Sequence, residues 1–166
     1  MKRRFLAIIT AVALSSGLGT VVAYQSHSPV TETIKTTAAA AATGPIVGYE
    51  GLCLDDRSAS TADFNPIQVY TCNGTNAQNW TVNSNGTLTV LGDCLDVAGA
   101  GTANGTLVDL YPCNGTGAQS WTHESNGELV NPNSGKCLDD TGYGGSGTQV
   151  QIWSCGDTAN QQWNLP

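Results

Sequence analysis

Basic residues are scarce: six lysines and arginines stand against thirteen aspartates and glutamates in 166 residues. Three of the six, Lys2, Arg3 and Arg4, crowd the start of the chain. No basic stripe remains elsewhere to meet a phosphate backbone or an anionic bilayer, so nucleic-acid and membrane-surface binding are disfavoured. Histidine is scarcer still, with His27 and His123 alone, and no Cys-x-x-Cys pair occurs. Zinc ligation therefore lacks both the ligands and the spacing it needs, and no metal or other cofactor is expected. A hydrolytic Ser-His-Asp set would have to use His123, which lies between Trp121 and Glu124 with no nucleophile motif around it. No stretch beyond residue 45 sustains a helical hydrophobic period, which leaves β-structure as the reading for that part.

The one long apolar run is at the start. Lys2-Arg3-Arg4 precede an uncharged stretch from Phe5 to Ala23 that ends in Val21-Val22-Ala23. This order of basic, apolar and small residues is that of a secretory signal, expected to be cut after Ala23. As a membrane span the run is only marginally long enough and is interrupted by Ser15-Ser16-Gly17. Segment 1–23 is therefore read as a signal peptide, and the processed chain as secreted and free of the membrane. It keeps three basic and thirteen acidic side chains, a net charge near −10. Residues 24–44, rich in Thr and Ala, read as a tether, and 45–166 as one folded domain.

That domain states one theme three times. Cys-Leu-Asp opens each copy at Cys53, Cys94 and Cys137, a second cysteine follows at Cys72, Cys113 and Cys155, and Gln-x-Trp closes at Trp80, Trp121 and Trp163. The spacing between copies is 41–43 residues for all three anchors. A period of that size points to a repeat architecture before any local argument does. IVGYEGLCL, IQVYTC, QNWTV and LTVLGDCL read as short strands, about four per unit. Asn-Gly at 73–74, 85–86, 104–105, 114–115 and 126–127 signals tight turns between them. Several of these continue as Asn-Gly-Thr glycosylation sequons, which turn chemistry already explains.

The repeat also selects the cysteine pairing. Two cysteines per unit, 19, 19 and 18 residues apart, predict Cys53–Cys72, Cys94–Cys113 and Cys137–Cys155. Loops of that length stabilise by roughly 3 kcal/mol each in the chain-entropy account, provided the compartment is oxidising. The recurring tryptophans read as core, since each removes about 150–250 Å² from water. The glutamine two residues earlier is expected to pair with the backbone of an adjacent turn.

Gln78-Asn79-Trp80, Gln119-Ser120-Trp121 and Gln161-Gln162-Trp163, each behind a Cys-Leu-Asp and a second cysteine, resemble the ricin B-chain-type lectin domain, also classed among carbohydrate-binding modules. The resemblance covers 46–166 and implies a β-trefoil: three repeats of about 41 residues forming a six-stranded barrel capped by three hairpins. It implies up to three shallow sugar sites. In each, an aromatic ring two residues before the second cysteine stacks on the sugar, and the Asp two residues after the first cysteine accepts hydroxyls. The third unit offers Asp139, Gln151, Trp153, Asn160 and Gln161, matching the pattern in full. The first offers Asp55, Gln68, Tyr70 and Gln78, and the second Asp96, Asp109, Tyr111 and Gln119. Ala77 and Ala118 stand where the family often has Asn, a loss for which Asn73 and Asn114 are the candidate replacements.

The function expected is therefore a monomeric, non-catalytic binder of saccharides. Galactose-, xylose- and arabinose-containing glycans all occur as ligands of the family. Glycoside hydrolysis would need one unique pair of carboxylates about 5–9.5 Å apart, whereas the acids here recur with the repeat. The alternative is a secreted trefoil inhibitor of a protease or another enzyme, because fold alone does not fix function.

Overall fold

The computed structural model describes residues 41–166; the segment read as a signal and the tether up to residue 40 lie outside the described residues. Eleven short strands follow one another: β1 (Ala42–Gly44), β2 (Cys53–Asp56), β3 (Asn65–Tyr70), β4 (Trp80–Val82), β5 (Leu88–Val90), β6 (Asp93–Val97), β7 (Thr106–Tyr111), β8 (Thr122–His123), β9 (Leu129–Asn131), β10 (Lys136–Asp140) and β11 (Val150–Trp153). Every helical piece among the described residues is a single 3-10 turn of three residues. The domain begins earlier than the 45 boundary read from composition. Ala42–Gly44 pairs antiparallel with Trp80–Val82, so the last residues of the Thr/Ala-rich stretch belong to the sheet.

Three hairpins carry the symmetry. β2 pairs with β3, β6 with β7 and β10 with β11, in the same register: Asp55 faces Gln68, Asp96 faces Asp109 and Asp139 faces Gln151. The hairpins close in a ring. β3 pairs with β7 through Asn65 and Leu110, β7 with β11 through Leu107 and Gln151, and β11 returns to β3 where Gln149 bridges Gln68. Below them the barrel closes through equivalent pairs, Thr81 with Thr89, Thr122 with Val130, and Val47 with Asn164. Closure leaves no long free strand edge in the barrel. The two ends of the described chain meet there: Val47 exchanges backbone hydrogen bonds with Asn164, and Gly44 abuts the Pro166 ring.

The apolar positions recur as triplets. Ile46, Leu88 and Leu129 start the units, and Leu54, Leu95 and Leu138 follow the first cysteines; all six are buried. Trp80, Trp121 and Trp163 are buried with them. Each indole N–H donates to the carbonyl of the Cys-Leu-Asp leucine in its own unit: Trp80 to Leu54 at 2.8 Å, Trp121 to Leu95 at 3.1 Å and Trp163 to Leu138 at 3.0 Å. A buried indole needs such an acceptor, which explains why the first and last motifs of each unit travel together. The three disulfides are those the repeat selects.

The Asn-Gly turns differ in detail from the two-residue hairpin expected. Gly74, Gly86, Gly105, Gly115 and Gly127 all have positive φ, but none of the asparagines does. The asparagines at 73, 85 and 114 instead accept the backbone N–H two residues on, at 3.0, 3.1 and 2.9 Å. One left-handed residue plus one such side-chain turn reverses the chain as well as two left-handed residues do.

Candidate functional site

Each hairpin lays its first-cysteine aspartate beside a turn that closes on the Gln-x-Trp glutamine. The glutamine carbonyl accepts a backbone N–H after the second cysteine, and its amide donates to a backbone carbonyl before it. In the third unit the partners are Gly156 at 2.9 Å and Ser154 at 3.1 Å. In the first they are Asn73 at 2.9 Å and Thr71 at 3.1 Å. In the second they are Asn114 at 2.8 Å and Pro112 at 3.1 Å.

In the third unit the structure brings all five proposed residues together. The Asp139 carboxylate accepts Gln151 Nε2 at 3.0 Å on one oxygen, and Asn160 Nδ2 at 2.9 Å and Gln161 Nε2 at 2.8 Å on the other. A carboxylate offers about four acceptor directions, so three fixed amides orient it and leave about one for an incoming hydroxyl. Trp153 stands above with 44% of its surface exposed. Asp139 and Trp153 line one cavity of about 470 Å³ together with Gly142, Tyr143 and Thr158. Asn104 of the neighbouring unit accepts the Ser154 backbone N–H at 2.9 Å, so this rim is built from two units.

Tyr143 is a lining residue that the motif does not reveal. Its φ is +57°, and its ring packs edge-on against Tyr49 with centroids 5.2 Å apart. The equivalent residues, Ala59 and Ala100, share the left-handed conformation but have no ring. Aligning the sixth residue after each first cysteine was the signal available in the sequence. Tyr143 thus adds a second ring to the wall that Trp153 lines.

The first unit has the same plan with one amide fewer. Asp55 accepts Gln68 Nε2 at 2.8 Å and Gln78 Nε2 at 2.9 Å, and Arg57 Nε donates to the Gln68 carbonyl at 2.9 Å. Tyr70 is exposed beside it, and the cavity measures about 530 Å³. Asn73 lines this pocket with its carbonyl held by Thr75, and its amide nitrogen makes no hydrogen bond to Asp55. Asn114 is held likewise by the Thr116 N–H in the second unit.

The second unit departs furthest. Asp109 faces Asp96 where the other hairpins place a glutamine opposite the aspartate. Both are buried, and Oδ1 of Asp109 has no hydrogen-bond partner. Burial, with the charge of Asp96 added, pushes the Asp109 carboxyl up to about 7. Burial also raises Asp96, against the Gln119 amide beside it. Tyr111 is only half-exposed because Phe64 of the first unit covers it, ring centroids 4.9 Å apart. The cavity there shrinks to about 270 Å³.

Two further buried acids lie one residue beyond the site aspartates. Burial pushes Asp56 up to about 6, partly offset by the Asn65 amide. Asp140 also rises to about 6 through burial. The Gly144 amide opposes this without reaching hydrogen-bond geometry, and Asp139 and Glu50 add repulsion. His123 donates through Nε2 to the Trp163 carbonyl at 2.9 Å, which ties it to the scaffold.

Comparison with known proteins agrees with the fold. Serine protease 1 of Rarobacter faecitabidus is 44% identical over 121 residues, covering 73% of this chain and 23% of that protein. A glucan endo-1,3-beta-glucosidase of Cellulosimicrobium cellulans is 59% identical over 103 residues, covering 61% of this chain and 19% of that protein. The chain thus spans about a fifth of the length of these curated relatives. Among solved structures, the agglutinin from Abrus precatorius matches with a TM-score of 0.72 at 28% identity, over 78% of this chain and 49% of that one. A non-toxic homologue of type II RIPs from Momordica charantia, in complex with alpha-methyl-D-galactoside, matches with a TM-score of 0.69 at 28% identity, over 75% of this chain and 47% of that one. The family described as ricin-type beta-trefoil lectin domain matches residues 42–163, nearly the whole described chain. With three intact repeats, a closed trefoil and that match, the chain belongs to the ricin-type beta-trefoil lectin domain family.

Proposed function

We propose that this protein binds neutral saccharides without transforming them, through the third-unit pocket first and the first-unit pocket second. The observation that carries the reading is Asp139, fixed by three amides beneath the exposed ring of Trp153. A pyranose presents an apolar C–H face to such a ring and hydroxyls to such a carboxylate and its amides. The donors are locked before the ligand arrives, so little ordering cost falls on binding. The three disulfides fit a secreted protein, since such bonds persist in oxidising compartments.

A single shallow site of this kind should hold its sugar with a Kd on the order of millimolar, about −4 kcal/mol. Two pockets on one rigid body raise retention on a polymer through effective concentration, with no new contact. Similarity to glucan endo-1,3-beta-glucosidases makes a β-1,3-glucan the first polymer to try, with galactosides second. The matching stretch is a small share of those enzymes, which favours a targeting role for this domain.

Retention of the purified protein on a polysaccharide panel tests the reading, repeated with Trp153→Ala and Asp139→Ala. Each variant should lose most of the retention while keeping a cooperative melt. Retention unchanged in both would show that the pocket is not the site.

A further inference from the structure

The second-unit pocket is where the repeat is broken, and the breaks point the same way. The other two hairpins place an amide donor, Gln68 or Gln151, against the site aspartate. Here the facing residue is a second aspartate, Asp109, 5% exposed and with Oδ1 unpartnered. The first unit also has a cation at its rim, Arg57; the equivalent residue in the second is Ala98. Two buried carboxylates thus face each other with nothing of opposite charge supplied by the protein. A buried acceptor left empty costs about 1–3 kcal/mol, more when charged; Oδ1 of Asp109 is enclosed, so a donor from outside meets the pair through Asp96, which lines the cavity.

The aromatic wall is changed as well. Phe64, Gly105 and Gly147 are equivalent: each has positive φ, and each donates its backbone N–H to the next hairpin, to Leu110, Ile152 and Val69. Two of the three are glycine, as that conformation favours. The first is phenylalanine at φ +64°, its ring 4.9 Å from Tyr111 and tilted by 37°. Phe64, Tyr111 and Asp96 line one cavity. Two aromatic faces and the Asp96 carboxylate on one cavity wall, with Asp109 paired against Asp96 but off that wall, attract a compact cation by both cation–π and Coulomb terms.

We propose that the second-unit pocket takes a sugar bearing a free primary ammonium, of the 2-amino-2-deoxy-hexose class, with the ammonium on Asp96 and the facing Asp109 adding to the negative field there. The ammonium brings three donors in place of the amide that the other two units build in. This rests on the saccharide-binding reading of the fold and assigns one of its pockets a different ligand chemistry.

The probes are a disaccharide of 2-amino-2-deoxyglucose and its N-acetylated form, titrated at one physiological ionic strength. The amine form should bind at least about tenfold more tightly. Asp109→Gln, which restores the amide of the other units, should abolish that difference; Asp109→Asn gives a second form of the same test. Phe64→Ala should weaken the amine form alone. Glu124→Gln, an equal loss of charge on an exposed turn, should change nothing. Equal binding of the two probes overturns the proposal, and so does a preference that survives Asp109→Gln in a folded variant. Neutral glycans held through Trp153 with no Asp109-dependent gain for the amine sink this inference alone. No binding of any glycan, charged or neutral, sinks both it and the reading beneath it.

Discussion

Trp153 and Trp80 carry the same side chain and should answer mutation in opposite ways. Trp80 is fully buried with its N–H on Leu54, so Trp80→Ala should cost about 3–5 kcal/mol in a urea melt. Trp153 is 44% exposed, so Trp153→Ala should stay within about 1 kcal/mol of the parent and lose ligand instead. The sequence separated these two roles because Gln-x-Trp keeps its tryptophan in all three units, whereas the aromatic two residues before the second cysteine is Tyr70, Tyr111 and Trp153 in turn. Asp109 was less legible. In the chain it reads as one more polar group of a sugar site, and only the register shows that it faces Asp96. Its raised carboxyl makes a signed prediction. The native state keeps its proton up to about pH 7 while the unfolded chain releases it near 4, so stability falls as pH rises between those values. Asp109→Asn should therefore stabilise at pH 8 by about 1–3 kcal/mol and much less at pH 4.

The hairpin is the unit of construction, and its parts were legible to different degrees. Cysteine spacing announced all three disulfides, because each closes a loop within one unit. Replacing Cys94 and Cys113 together by Ser should lower stability by about 2–4 kcal/mol, seen as a shift of the denaturant midpoint. Contacts between hairpins were not legible. Phe64 over Tyr111 and Asn104 against Ser154 join residues 47 and 50 positions apart, and no periodicity encodes them. The early start of the sheet was missed for a simpler reason. Ala42-Thr43-Gly44 has the composition of a tether and becomes a strand only because β4 offers a partner edge.

Across the whole molecule, buried acids set the pH response. Asp56 and Asp140 titrate near 6 and Asp109 near 7, all above their value in an unfolded chain. Each is protonated when folded and ionised when unfolded across the same interval, so the three effects share one sign. Chemical denaturation should show the fold more stable at pH 5 than at pH 8, and a flat or rising profile would contradict these assignments. A last consequence follows from Gly44 lying against Pro166 and Val47 pairing with Asn164. Threading order is close to arbitrary for such a ring of three equivalent blocks. A circular permutant that runs from Pro166 through a short glycine spacer into Ala42, with fresh ends cut between Glu124 and Ser125, should refold to the same barrel and keep its grip on glycans.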